Sequence, residues 1–160
     1  MKLAEEKKIV PVLNYGDMDT GSALDGDSIN MKNYHRATFI VNLHDIGTAS
    51  PTMYIYSGSS DGSKDSALTF HYAFGSAAQG SEDCDVLAAD STSAALELTH
   101  GTYDNYMLIA EVEADKMDVA NSEEWLTISF ADPGTATGHV TVTAILEPRY
   151  TGNVSVTALE

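Results

Sequence analysis

The stretch that decides the fold class is residues 34–43, Tyr34-His-Arg-Ala-Thr-Phe-Ile-Val-Asn-Leu43. Every second residue from Phe39 onward is apolar, and Thr38, Ile40 and Asn42 occupy the alternate positions. Side chains point to opposite faces along a strand, and β-branched residues favour that conformation. The stretch therefore predicts a β-strand with one buried face.

The same alternation recurs along the rest of the chain. It predicts further strands near Thr52–Ser57, Ala67–Phe74, Ala94–Leu98, Tyr106–Ala114, Trp125–Ala131, His139–Leu146 and Asn153–Leu159. Turns rich in Gly, Asp, Ser and Pro separate these segments. Short strands at this spacing predict an all-β fold, an antiparallel β-sandwich that is jelly-roll-like. One short helical turn is expected over Asp115–Asn121, with Asp115 as its N-cap.

Alternation also identifies a core, made of the apolar residues that share one face of each strand. The predicted core residues are Phe39, Val41, Leu43, Leu68, Phe70, Tyr72, Leu108, Ala110, Val112, Leu126, Ile128, Phe130, Val140, Val142 and Ala144. The opposite faces carry Thr, Ser and Asn more than Lys or Glu. Such a face is compatible with solvent or with a neighbouring subunit.

The N-terminal segment lacks this pattern. Residues 14–30 are dense in Gly, Asp, Ser and Asn, which predicts extended chain and turns. We therefore expect residues 1–30 to form an extended N-terminal arm and residues 31–160 a single β-sandwich domain. The apolar run 9–13 contains Pro11, which excludes a helix interior. It either adds a strand to another chain or pairs with its own sheet as an edge strand.

This arm supplies the candidate partner-binding residues. They are Lys7, Lys8, Ile9, Val10, Pro11, Val12 and Leu13. An exposed apolar strip of this kind requires a partner surface.

Composition narrows the classes of function. The chain has 160 residues, and 8 Lys plus Arg against 24 Asp plus Glu give a formal charge of −16. Nucleic acid and anionic membranes are therefore not expected as partners. The single cysteine, Cys84, cannot form an internal disulfide, and the apolar run near the N-terminus is too short for a membrane span. The chain is expected to be soluble and unprocessed.

Motifs for catalysis are absent from the sequence. It contains no Gly-x-Ser-x-Gly elbow, no Gly-x-x-x-x-Gly-Lys phosphate loop and no His-Glu-x-x-His metal helix. We therefore expect no enzyme activity, no catalytic residues, no metal and no cofactor. Acidic pairs such as Asp17-x-Asp19 and Asp25-Gly-Asp27 offer oxygen atoms to calcium, but ordinary turns use the same residues.

Aromatic residues raise one further possibility. Tyr54 and Tyr56 share a strand face and could stack on a sugar, although aromatic residues in strands more often pack across strands.

Three stretches resemble a group of small structural proteins from tailed bacteriophages. They are Asp27-Ser-Ile-Asn-Met-Lys-Asn-Tyr-His-Arg-Ala-Thr-Phe-Ile-Val-Asn-Leu43, Met107-Leu-Ile-Ala-Glu-Val-Glu-Ala-Asp-Lys-Met-Asp118 and Val142-Thr-Ala-Ile-Leu-Glu-Pro-Arg-Tyr150. The resemblance covers residues 27–150 and implies a virion component. Within that group, size and composition fit a capsid decoration (head auxiliary) protein, a β-sandwich on the outer surface of the shell, often a trimer. The resemblance transfers no active site.

The expected partners are accordingly the major capsid protein and further copies of this chain. The expected location is the outer surface of the capsid, after synthesis in the cytoplasm of the bacterial host. A head fibre base, a neck or tail protein, and a carbohydrate- or receptor-binding module are the alternatives. Residues 7–13 would clasp the capsid protein or the next protomer, so deleting residues 1–13 is expected to weaken attachment while the β-sheet circular dichroism persists.

Overall fold

Two packed antiparallel sheets make up the structure, a computed structural model that describes residues 2–134 and 138–159. The first sheet has the order β1 (Lys8–Asp17), β12 (His139–Pro148), β4 (Tyr34–Leu43), β10 (Met107–Glu113), β7 (Phe70–Phe74) and β8 (Ser91–Ser93). The second has the order β2 (Leu24–Asp25), β11 (Trp125–Ala131), β5 (Thr52–Gly58) and β6 (Ser66–Ala67). In addition, β3 (Ile29–Asn30) pairs with β11, and β9 (Leu96–Glu97) pairs with β5.

The order of the strands is that of a jelly roll. The short strands β2 and β3 both pair with the same edge of β11, so they act as one interrupted strand. In the first sheet the earliest and the latest strands, β1 and β12, lie side by side, followed by β4 and β10. Most connections cross from one sheet to the other, as in two interlocked Greek keys. The predicted antiparallel, jelly-roll-like sandwich is confirmed, and β7 and β8 extend its first sheet.

The core lies between the sheets and matches the predicted faces. Side chains such as Phe39, Val41 and Ile128 are fully buried. Of the predicted core residues, all but Tyr72 are buried, and Tyr72 packs against the cluster while partly exposed. Each such side chain contributes about 1.5–3 kcal/mol through burial, so the inner faces dominate the stability of the fold.

The N-terminal segment is part of the sandwich and does not form a separate arm. Strand β1 pairs with β12 from Lys8 opposite Leu146 to Asp17 opposite His139, and residues 24–25 and 29–30 pair with β11. Pairing in this register turns alternate apolar residues of β1 toward the core. The boundary predicted at residue 30 is therefore not seen, and of the two alternatives for residues 9–13 the structure has the edge strand of the chain's own sheet.

Two other local predictions are corrected. Residues 153–159 form no strand: Thr151–Ser155 is a 3₁₀ turn, and the segment is held against residues 30–33 by the Asn30 N–H, which donates to the Ala158 carbonyl, and by the Asn153 amide, which donates to the Asn33 carbonyl. The expected turn over residues 115–121 is two 3₁₀ turns, Ala114–Lys116 and Val119–Asn121. The cap of the second is Asp118, whose carboxylate accepts the Asn121 N–H, and Asp115 caps neither.

Two predicted strands are each divided. The strand predicted at residues 67–74 separates into β6 in the second sheet and β7 in the first. Of the strand predicted at residues 94–98, only β9 is present, and β8 lies before this segment. Further short elements are a helix at Leu3–Glu6 and a 3₁₀ turn at Met31–Asn33.

Gly58 ends β5 at a close approach of two backbone segments. The loop that follows folds back so that the Ser59 N–H and hydroxyl both donate to Asp65. A Cβ atom on Gly58 would overlap the carbonyl oxygen of Ser63. A side chain at this position is therefore excluded by space.

Candidate partner-binding surface

The apolar residues of the predicted partner-binding run, residues 9–13, are divided between the core and the surface. Val10 and Val12 are 2% and 3% exposed, and Leu13 packs partly buried against the core. Ile9 is 43% exposed, and Pro11 is exposed as well. Only Ile9 and Pro11 therefore present apolar surface from this run. Deleting residues 1–13 would remove two core side chains and most of an edge strand, so the deletion is expected to destabilise the sheet as well as to weaken attachment.

The two lysines of the clasp lie where β1 begins. The Lys7 ammonium donates to the Glu147 carboxylate at 3.0 Å, and both side chains are about one-third or more exposed, at 32% and 43%. This hydrogen bond and the charge of Lys7 lower the pKa of the Glu147 carboxyl below its ordinary value of 4.5. Lys8 lies opposite Leu146 at the end of the sheet.

Ile9 and Pro11 belong to a larger apolar stripe on the outer face of the first sheet. Pairing between strands places Pro11, Thr143, Ile40, Ile109 and Ala73 in one row across five strands. Ile9 lies directly opposite Ile145 in the next row. We call Ile9, Pro11, Ile40, Ala73, Ile109 and Ile145 the apolar stripe.

Four members of the stripe, Ala73 and three isoleucines, lie outside the site predicted from the sequence. Ile40, Ile109 and Ile145 are partly exposed and occupy outward positions of three adjacent strands. The signal in the sequence was an isoleucine at a strand position where the alternation predicts an outward-facing polar residue. Only the register of the sheet brings the three together.

Polar residues border the stripe on both sides. On one side Arg36 lies between Glu147 and Glu113 and forms an ion pair with Glu113 at 3.1 Å. In the row of Ile9 and Ile145 itself, the Thr38 hydroxyl donates to Glu111 at 2.9 Å. On the other side, Thr141, Asn42 and Met107 form a row without charge. An apolar centre with a polar rim is the usual anatomy of a protein–protein interface.

Charge is divided between the two ends of the sandwich. At one end of the sandwich β1 and β4 begin and β10 and β12 end, and we call it the mixed-charge end. All the basic residues of the chain apart from histidine lie there. They are Lys2, Lys7, Lys8, Lys32, Arg36, Lys64, Lys116 and Arg149. At the opposite end, which we call the acidic end, lie segments 18–23, 44–51, 75–89, 98–106 and 132–134. These contain seven acidic residues and no Lys or Arg.

One carboxylate of each proposed calcium pair is engaged in local structure. Asp17 accepts the Asp19 N–H, as in an ordinary Asx turn, and Asp25 accepts from both Lys64 and the Ser129 hydroxyl. Within residues 2–134 and 138–159, no group of three or more His, Cys, Asp or Glu side chains has a metal-binding arrangement.

One histidine and a carboxylate meet on the surface. His71 Nδ1 lies 2.9 Å from Asp90 Oδ2, with side chains 62% and 65% exposed. They line an open cleft of about 470 Å³ together with Thr69, Arg36 and Glu111. Both side chains are more than half exposed, so the cleft does not enclose the pair.

The tyrosine pair on the second sheet stacks upon itself. The rings of Tyr54 and Tyr56 are 5.6 Å apart at 24°, and the Lys64 ammonium lies 5.8 Å from the Tyr56 ring. A sugar platform requires an open ring face, and these contacts occupy ring surface within the chain.

A buried carboxylate links the second sheet to the turn before β11. Glu123 is 5% exposed and accepts hydrogen bonds from the hydroxyls of Ser57 and Ser66. Ser57 is itself fully buried. Both carboxylate oxygens thus have partners, which a buried charge requires.

Comparison with known proteins gives little further identification. No family model and no curated protein matches the sequence. Among solved structures, the crystal structure of SPBc2 prophage-derived protein YomS is similar, with 13% sequence identity and a TM-score of 0.42 over 88% of this chain and 91% of that chain. No residue is carried over at this level of similarity. No helix among the described residues is long and apolar enough to cross a membrane.

Proposed function

We propose that this chain is a bacteriophage capsid decoration protein, which binds the outer surface of the assembled head as a trimer and stabilises the shell. The resemblance of residues 27–150 to structural proteins of tailed phages supplies the class of partner. The observation that carries the proposal is the division of charge between the two ends of the sandwich.

A protein that coats a shell in many copies needs one binding surface and one inert surface. The mixed-charge end offers both signs of charge for complementary contacts with the capsid protein. The acidic end repels DNA phosphates and the acidic ends of other particles. In this arrangement Lys7 and Lys8 face the shell and the acidic loops face outward.

Ion pairs at the mixed-charge end do not prevent such contacts. Lys7 pairs with Glu147, and Arg36 pairs with Glu113, but all four side chains are partly exposed. Exposed pairs contribute only about 0–1 kcal/mol, so little stability is lost when a cation changes its partner. Because the protein binds only the assembled shell, its binding stabilises that state by mass action.

Co-sedimentation tests the proposal. Purified protein is mixed with capsids that lack DNA and tails, and the mixture is separated on a density gradient. The number of bound copies per capsid is then measured. We expect saturable binding at a copy number commensurate with icosahedral sites. Recovery of the protein with tails, or unbound, would refute decoration and favour a neck, tail or sugar-binding protein.

A matched pair of variants tests the orientation. Lys8→Glu lowers the net charge by two at the mixed-charge end. Ser76→Glu combined with Ser81→Glu lowers it equally at the acidic end, where both serines are exposed. We expect the first to weaken capsid binding at least about tenfold, a loss of about 1.4 kcal/mol, and the second to leave it unchanged. Equal effects of the two variants would contradict the orientation.

A further inference from the structure

We infer that Tyr15, His139 and His44 form the stacking surface of a binding site for neutral sugars. We call these three residues the aromatic platform, and it lies where the first sheet reaches the acidic end. The inference goes beyond the proposed function and does not rest on it. Its test contains no capsids, so the two can fail separately.

The Tyr15 ring lies flat on a histidine and keeps one face open. Its centroid is 4.4 Å from that of His139, with the ring planes at 16°, and His44 meets it edge-on at 5.3 Å and 60°. Tyr15 is 59% exposed even with this stacking, so the ring face opposite His139 is in solvent. A flat, open aromatic face of this kind stacks on the apolar C–H face of a sugar ring.

The backbone of Tyr15 is unusual for a bulky residue. Its φ is +52°, in the left-handed region that residues such as Asn adopt far more readily. The register of β1 also shifts between Leu13 and Gly16, and an irregularity of this kind redirects a side chain. Because the ring is mostly exposed, neither the local conformation nor the core requires tyrosine here. Bulky residues held in such conformations occur preferentially at ligand sites.

A polar cleft begins beside the platform. It has a volume of about 440 Å³, and His44, Asn42, Gln79 and Thr141 contribute to its lining. The Gln79 amide donates to Asn42 at 3.2 Å, and His44 Nε2 lies 3.2 Å from the Thr141 hydroxyl. Amides and hydroxyls can both donate and accept hydrogen bonds, as sugar hydroxyls do. The volume is within the range of about 300–1,000 Å³ for small-molecule sites.

The charge of the site selects a neutral ligand. Apart from its histidines, the site has only carboxylates as charged groups, with Asp85 in the lining of the cleft and Asp17 opposite His139 in the sheet. A carboxylate accepts a strong hydrogen bond from a neutral hydroxyl. It repels an anionic sugar, as does the formal charge of −16 on the whole chain.

Titration of the full chain with simple sugars, followed by protein NMR, tests the inference. The probes are the methyl glycosides of glucose, galactose, mannose and N-acetylglucosamine, from about 0.5 to 50 mM, the range expected for ligands of about 13 non-hydrogen atoms. At least one should shift the signals of Tyr15, His44 and His139 in a saturable way. The methyl glycoside of glucuronic acid, an anionic probe, should bind at least about tenfold more weakly than that sugar.

Variants of the platform and the cleft identify the site. Tyr15→Asn removes the ring and introduces a residue that tolerates a positive φ, so it should weaken binding at least about tenfold with an unchanged circular dichroism spectrum. Tyr15→Phe keeps the stacking ring and should retain binding. Asn42→Ala should weaken binding several-fold by removing one amide of the cleft. The control Tyr150→Asn removes a ring that is 75% exposed at the mixed-charge end and should have no effect.

Several results would overturn the inference. They are the absence of saturable shifts with all four neutral glycosides, shifts confined to other parts of the chain, and binding that survives Tyr15→Asn. Equal loss in Tyr150→Asn, or equal binding of the glucuronic acid glycoside, would also contradict it.

Discussion

Replacing the buried Glu123 is expected to destabilise the protein far more than replacing an ordinary acidic residue. Its carboxylate accepts hydrogen bonds from Ser57 and Ser66, and it is 5% exposed. Glu123→Ala removes both acceptors and leaves the Ser57 hydroxyl buried without a partner. The neighbouring Glu124 makes neither contact and provides the matched control.

The magnitude follows from the two hydrogen bonds. A hydrogen bond to a charged group contributes about 1.5–3 kcal/mol, and an unsatisfied buried donor costs about 1–3 kcal/mol. Part of this loss is offset because the carboxylate no longer has to be desolvated. We therefore expect Glu123→Ala to lower the free energy of unfolding by about 3 kcal/mol. For a chain of this size that is a Tm lower by about 6–12 °C.

Urea unfolding followed by the fluorescence of Trp125, the only tryptophan, measures this difference two residues from the substitution. Glu124→Ala should change the free energy of unfolding by less than about 0.5 kcal/mol. In a double-mutant cycle, Ser57→Ala should lose less in the Glu123→Ala background than in the wild type. A loss below about 1 kcal/mol for Glu123→Ala, or additive effects in the cycle, would refute the reasoning.

Three further substitutions test the structure. Gly58→Ala should cost about 2 kcal/mol or more in urea unfolding because its Cβ meets the backbone, whereas Gly152→Ala, with open space around it, should stay within about 0.5 kcal/mol. Phe130→Ala, at a fully buried position, should lower the free energy of unfolding by about 3–5 kcal/mol, and a smaller loss would mean that the core collapses around the cavity. Lys7→Met should cost about 0.5 kcal/mol at neutral pH, since the ion pair is partly exposed. Because Lys7 lowers the pKa of Glu147, that difference should be present above the ordinary value of 4.5 and vanish as pH falls through the lowered pKa, so a difference that grows in acid would contradict the pairing.

Alternation predicted most of the sandwich because each strand has its own buried face. In the segments 37–43, 125–131 and 139–146 at least every second residue is apolar, and all three lie in strands. Where a segment changes sheet, the pattern misleads: residues 67–74 look continuous but belong to β6 and β7. Alternation shows which residues of a strand face the core, but it does not show to which of the two sheets the strand belongs.

The candidate surface was predicted only in part. The run 9–13 was identified by its apolar composition, but Val10 and Val12 lie in the core, and Ile9 and Pro11 alone remain on the surface. The division of charge between the ends was equally hidden, since basic residues far apart in sequence meet at one end through antiparallel pairing.

The sequence by itself determined the all-β class, most of the core and the acidic character of the surface, because those properties depend on local periodicity and composition. Tertiary structure alone decided that residues 8–17 pair with β12, that Glu123 meets two serines, and that Ile9, Ile40, Ile109 and Ile145 form one stripe. The physical reason is that strand register is set by which buried faces and edges remain available once the other strands have paired. That choice joins residues more than 100 positions apart, such as Ile40 and Thr143, and no local pattern encodes it.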